Sequence, residues 1–184
     1  MTRIPPSPKQ QRPWYLKLLF YFQKKKYGRL LEPLLLWEYT PRVFLGFLHM
    51  QKALNRKKSP LSPELRALIS IKVSQLNQCP FCIDWNAALL IKEGRSEEIL
   101  EALTTFRESA LFSESETAAL EYAELVTLSS DSIPPSVFDR LRKHFDDRTI
   151  VELTALIGYQ NLSSKFNASL DAQAYGFCHS FHRK

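Results

Sequence analysis

The sequence predicts an all-α chain, on three observations. No segment of the 184 residues alternates apolar and polar positions with the period of two expected of a half-buried strand. Helix starts are written repeatedly, as Ser62-Pro63-Glu64, Ser113-x-x-Glu116 and Asp146/Asp147. Glycines stand where helices should stop, at Gly28 and Gly94. There is no internal repeat.

In chain order, residues 2–13 hold four prolines and no acid, which reads as a flexible or extended tail. WYLKLLFYFQKKKY, from Trp14 to Tyr27, predicts a short helix ending near Gly28. LLEPLLLWEY carries a proline and predicts one or two broken turns. Residues 41–58 predict a helix with Pro41 in its first turn and a basic end that suits the helix dipole. Ser62 as N-cap and Pro63 at the first helical position open ELRALISIKVSQLNQ, which runs to Cys79-Pro80-Phe81-Cys82. A second helix leaves that motif and stops at Gly94. Ser96 opens ILEALTTFRE, Ser113 and Glu116 form a capping box before TAALEYAELVTLS, and Pro134-Pro135-Ser136 lead VFDRLRKHF. Asp146/Asp147 begin a long apolar helix through residue 170.

Composition narrows the function classes. Hydrophobic residues are 45% and charged residues 24%, a globular mix, and the length suits one domain with an extension. With five glycines there is no GxGxxG or GxxxxGK[ST] phosphate loop. Apolar runs break before 18 residues and no cleavable leader pattern stands at the start, so a soluble cytoplasmic protein is expected.

Charge is uneven. Residues 1–60 hold 13 Lys/Arg against two acids, while residues 61–184 hold 12 against 17. We therefore divide the chain into a basic, aromatic-rich extension (1–58) and an acidic body (59–184). The extension, with Lys24–Lys26, Trp14, Tyr15, Phe20 and Phe22, is expected first to cover an acidic surface on a neighbouring subunit. Peripheral contact with anionic lipid ranks behind that, and the acidic body argues against nucleic acid.

The chemistry concentrates in Cys79-Pro80-Phe81-Cys82 at a helix start. Unpaired N–H groups at a helix N-terminus stabilise a thiolate, so Cys79 at the cap and Cys82 in the first turn make a nucleophile and a resolving partner. Such a pair reacts with a peroxide or exchanges with a disulfide. Two other readings stand beside this one. Cys178 and His182, at C-x3-H spacing, would complete a Cys3His zinc set with the pair, or both cysteines are inert core residues. Cys178 itself reads as a packing residue.

LRALISIKVSQLNQCPFCIDWN, then FSESETAALEYAELVTLSSDSIP and DRTIVELTALIGYQNLSSKFN, resemble the carboxymuconolactone decarboxylase family, on its alkylhydroperoxidase D-like branch. The resemblance covers about residues 60–178. It implies an alkylhydroperoxidase D-like helical bundle assembled as trimers or hexamers, and a thiol peroxidase reduced by a thiol donor protein, with no cofactor. The family motif is Glu, eleven residues, Cys-x-x-Cys, three residues, His. Cys79 and Cys82 match it, but Ala67 stands at the Glu position and Asn86 at the His position, and neither side chain titrates. Glu64, one turn before Ala67, is either a substitute base or a helix-dipole partner. On helix-end position Cys79 should be the more acidic thiol. The resemblance instead makes Cys82 the attacking sulfur and Cys79 the resolving one, and we adopt that assignment.

The expectation is a thiol-dependent hydroperoxidase or disulfide oxidoreductase with an antioxidant role, acting on a hydroperoxide or disulfide. The alternatives are a non-catalytic oligomeric protein of the same fold and a zinc-stabilised binding module. Among the remaining residues, Asn161 and Asn167 read as buried amides tying helices together in preference to groups that orient the cysteines' surroundings, and Phe81, Trp85 and Tyr159 as core aromatics in preference to a pocket lining. His49 and His144 read as structural or exposed, and Asp84 as solvated rather than acting on Cys82.

Overall fold

The computed structural model describes residues 2–5, 7, 13–128 and 132–180. Among these there is no strand. The helices are α1 (Trp14–Tyr27), α2 (Glu32–Leu36) running into a 3-10 turn (Trp37–Tyr39), α3 (Pro41–Leu54), α4 (Pro63–Leu76), α5 (Pro80–Lys92), α6 (Glu98–Ala102) with a 3-10 turn (Leu103–Thr105), α7 (Glu114–Leu128), α8 (Pro135–Arg142), α9 (Asp147–Ser169) and α10 (Phe177–Ser180).

The starts follow the capping chemistry. The Ser62 side chain accepts from Leu65 N–H, and Asp146 accepts from Thr149 N–H. Ser113 and Glu116 satisfy each other's backbone N–H reciprocally. Each such cap contributes about 1 kcal/mol. Gly28 ends α1 at φ +73°, the left-handed region where a Cβ is disfavoured.

Three boundaries differ from expectation. Helix α3 stops at Leu54, because Asn55 turns its side chain back onto the Gln51 carbonyl and Arg56 leaves to pair with Glu152. Helix α6 is a short piece, and α10 was not foreseen. The tail over residues 2–13 is partly anchored: Arg3 N–H donates to the Leu170 carbonyl and the Tyr39 hydroxyl to that of Pro5. Residues 6 and 8–12 of that tail lie outside the described residues.

Helix α4 is the centre of the bundle. From Ala67 to Ser74 every residue is buried, with α5, α7 and α9 packed around it. A polar residue in this stretch needs partners. Lys72 finds Glu124 of α7 at 3.2 Å and the Phe106 ring at 4.8 Å from its centroid. Burial pushes the Glu124 carboxyl up, but hydrogen bonds from Arg107 and Lys72 outweigh it and hold it below the usual range.

The extension is packed into the body. Trp37 stacks on Phe166 of α9 with ring centroids 4.0 Å apart, and Phe47 stacks on Tyr159 at 4.8 Å. Leu16 and Phe20 of α1 are buried with Trp37 and Phe44. Each aromatic pair adds about 0.5–1.5 kcal/mol beyond its area burial. Trp14, Leu18, Tyr21 and Phe22 remain on the outer face of α1 with Lys17, Lys24 and Lys25.

Candidate active site

The α4–α5 corner builds the site. Helix α4 ends in a Schellman arrangement: Gln78 N–H bonds to the Gln75 carbonyl, and Cys79 N–H to that of Ser74 at 3.0 Å. Gln78 occupies the left-handed region at φ +52°, which turns the chain sharply. Cys79 therefore closes one helix and caps the next, its Sγ accepting from Cys82 N–H at 3.2 Å. Pro80 at the first helical position fixes the outgoing direction. One turn later the Cys82 sulfur comes to disulfide distance from Cys79, with the Cα atoms 5.3 Å apart.

The two sulfurs face different surroundings. Cys79 is fully buried, whereas Cys82 lines a cavity of about 530 Å³ between α1–α3 and the α4, α5 and α9 helices. Ala67 and Asn86 line the same cavity, so the positions that match the family's Glu and His both border it together with Cys82. Asn86 donates to the Cys82 carbonyl at 2.8 Å. Glu64 is not in that lining. Its carboxylate is held below the usual range by its own backbone N–H and the Ser62 hydroxyl, with Arg95 and Arg66 nearby.

For Asn167 the two readings coincide, a buried amide that joins helices and one that lies against a cysteine. It is buried on α9, and its Nδ2 donates to Cys82 Sγ at 3.3 Å. Asn161 does tie helices, accepting from Asn77 at the end of α4 and donating to Thr127 of α7. Phe81, Trp85 and Tyr159 pack in the interior and also line the cavity, so the core and pocket readings coincide.

Asp84 corrects the expectation, because it is buried and not solvated. Its Oδ2 accepts from Tyr175 N–H at 2.8 Å and its Oδ1 from Cys178 N–H at 3.0 Å. Burial pushes this carboxyl up, yet N–H groups of Cys178, Phe177 and Tyr175 and the Cys178 thiol overcome it, leaving it below the usual range. The segment so held covers the cysteine pair. Tyr175 and Phe177 pack with Phe81, Trp85 and Tyr27, and the Tyr175 hydroxyl accepts from Glu32 N–H at 2.9 Å.

His49 and His144 are exposed. His182, the fourth member of the zinc set, lies outside the described residues. Among the described residues no group of three His, Cys, Asp or Glu side chains is placed to hold a metal ion. No described helix is long and apolar enough to cross a membrane.

The extension's share of the cavity escaped the sequence reading: Gln23, Tyr27, Trp37, Phe44 and Phe47 all line it. A signal existed for one of them. Leu16, Phe20, Gln23 and Tyr27 fall on one helical stripe, and a polar residue within an apolar stripe marks a buried amide.

Comparison with known proteins agrees with this architecture. The profile of the carboxymuconolactone decarboxylase family matches residues 41–125. The chain is 36% identical over 171 residues to the uncharacterized protein YnjA of Escherichia coli, covering 93% of this chain and 94% of that one. A protein of unknown function from Agrobacterium tumefaciens, a candidate antioxidant defence protein AhpD, superposes with a TM-score of 0.70 at 27% identity, covering 76% of this chain and 94% of that one. The fold is also that of an uncharacterized peroxidase-related protein with an AhpD core from Ralstonia eutropha, at TM-score 0.84 and 21% identity over 96% of this chain and 94% of that one.

Proposed function

Since this chain belongs to the carboxymuconolactone decarboxylase family, on its AhpD-like side, we propose that it is a thiol-dependent hydroperoxidase with an antioxidant role. The observation that carries the reading is the division of labour in the pair: Cys82 borders a cavity, while Cys79 waits behind it, sealed from solvent and at disulfide distance.

The chemistry balances on these two residues. The Cys82 thiolate attacks the terminal oxygen of a hydroperoxide ROOH. An S–O bond forms, the O–O bond breaks, and RO⁻ leaves and takes a proton from water to give ROH. Cys79 then attacks the sulfenic sulfur. The S–S bond forms and the S–O bond breaks, and the departing hydroxide leaves as water with the Cys79 proton. Two electrons pass from the thiols to the peroxide, and a dithiol donor protein returns them by exchange.

Asn167 Nδ2 and the first-turn N–H groups of α5 favour the thiolate without a titrating base. Ala67 and Asn86 offer none, so we place the rate below that of a relay-assisted enzyme, for which acid–base help is worth ~10²–10⁴-fold. A homo-oligomer, trimer-based, would bury the outer face of α1; light scattering showing a monomer at tens of micromolar counts against it.

The roles are separated by trapping. Treated with one equivalent of cumene hydroperoxide, Cys79→Ser should gain one oxygen atom by intact mass and label with dimedone at Cys82. Cys82→Ser should do neither. If both variants stay unmodified, the chain is a non-catalytic member of its fold. If only Cys82→Ser is modified, the roles are reversed.

A further inference from the structure

The cavity beside Cys82 contains polar atoms that the cysteine chemistry does not use. Three of its lining side chains are more than nine-tenths buried and carry atoms with no hydrogen-bond partner: both amide atoms of Gln23 (7% exposed), the Tyr159 hydroxyl (6%) and Asn167 Oδ1 (4%). An unmatched buried polar group costs about 1–3 kcal/mol. Three around one cavity mark a place where a ligand supplies the missing partners.

The inventory specifies the ligand. Gln23 offers donors and an acceptor, and Tyr159 a hydroxyl that burial keeps protonated. A hydroxyl group answers this, accepting from Tyr159 and donating to Gln23 Oε1. The apolar wall is aromatic and ordered. Phe44, Trp37, Phe47 and Tyr159 follow one another as near-parallel rings, with interplanar angles of 9°, 24° and 25°. A further aromatic ring packs edge-to-face or offset against such a column.

The charged members of the described lining are Arg66 and Glu93, one of each sign, and Arg66 is also faced by Glu64 and Glu152. The described lining therefore has no net charge to favour an ionic ligand. Arg66 Nε, which also has no partner, is a further donor.

We propose that this cavity binds a neutral aromatic alcohol, a molecule of the phenol class, with its ring against Trp37 and Phe47 and its hydroxyl between Tyr159 and Gln23. The proposal rests on the peroxidase reading in taking the cavity as the substrate's own, the phenol being the organic part R of the hydroperoxide ROOH. Asn167 Oδ1, without a partner while Nδ2 reaches the Cys82 sulfur, is left to accept from a donor on the ligand.

Calorimetric titration of the full chain in its disulfide form tests this without turnover, so a protein that never reacts with peroxide still answers it. The probes are 1-naphthol, naphthalene and 1-octanol. We expect 1-naphthol to bind most tightly of the three. Gln23→Leu and Tyr159→Phe should each weaken it about 3–10-fold, the value of one hydrogen bond. Naphthalene binding should not weaken in either variant, and the thermal midpoint of the free protein should not fall, since each change deletes an unmatched polar group. Equal binding of naphthalene and 1-naphthol overturns the hydroxyl site. Equal binding of 1-octanol overturns the preference for a ring. No binding of any probe at millimolar concentration means that the cavity holds only water, which overturns the proposal. None of these outcomes alters the trapping result above, so the two readings fail separately.

Discussion

Asn167 Nδ2 reaches the Cys82 sulfur at 3.3 Å across a sequence separation of 85 residues, bringing α9 onto the first turn of α5. A neutral donor at this distance stabilises a thiolate more than a thiol, and burial strengthens the preference.

Replacing Asn167 with Leu should therefore raise the Cys82 thiol pKa by about one unit, the equivalent of ~1.4 kcal/mol. The pH dependence of iodoacetamide alkylation of the reduced protein reads this directly. Helical content should be unchanged. An unshifted profile would mean that the helix end alone sets the acidity.

Asp84 should act on structure, not on sulfur chemistry. Asp84→Ala leaves the N–H groups of Tyr175 and Cys178 without their acceptor, at a cost of about 1–3 kcal/mol. Residues 175–178 should lose amide-exchange protection while α4 keeps it. Because the folded carboxyl sits below its ordinary range, its contribution is complete above the unfolded pKa and is lost as pH falls through the lower, folded one. Exchange protection of the segment should thus hold at pH 7 and decay only as pH falls below the ordinary aspartate range. Loss of protection already near neutral pH would contradict the assignment.

The missing relay is testable by gain. Ala67 and Asn86 both border the cavity that Cys82 lines, so Ala67→Glu together with Asn86→His puts an acid–base pair into that cavity. We expect the peroxidase rate to rise, by up to ~10²–10⁴-fold for a working relay. A gain confined to the double variant would show that the two act as a unit. If a folded double variant is no faster, proton transfer does not limit the reaction. Glu64→Gln then asks whether that residue already serves, although it lies outside the cavity lining.

Local chemistry made much of this fold legible. Ser62-Pro63, Ser113-x-x-Glu116 and Asp146 each announced a helix through a side chain that satisfies a backbone donor within four residues, and each cap forms as read. The cysteine pair was legible for the same reason, since Cys79 and Cys82 share one helical turn. What the sequence hid is long-range. Nothing local to Asn167 says that it meets Cys82, nor that Asp84 grips residues 175–178. The extension looked separable on charge, yet Trp37 and Phe47 stack against α9 and build one wall of the cavity. Tertiary stacking decides such placements, and charge composition does not see it.

The central claim is that Cys79 and Cys82 pass two electrons to a hydroperoxide. The most direct measurement is the number of titratable thiols per denatured chain before and after one equivalent of cumene hydroperoxide, starting from fully reduced protein with its three cysteines. We expect a fall from three to one, with Cys178 remaining and dithiothreitol restoring the other two. Three thiols surviving the peroxide would contradict it.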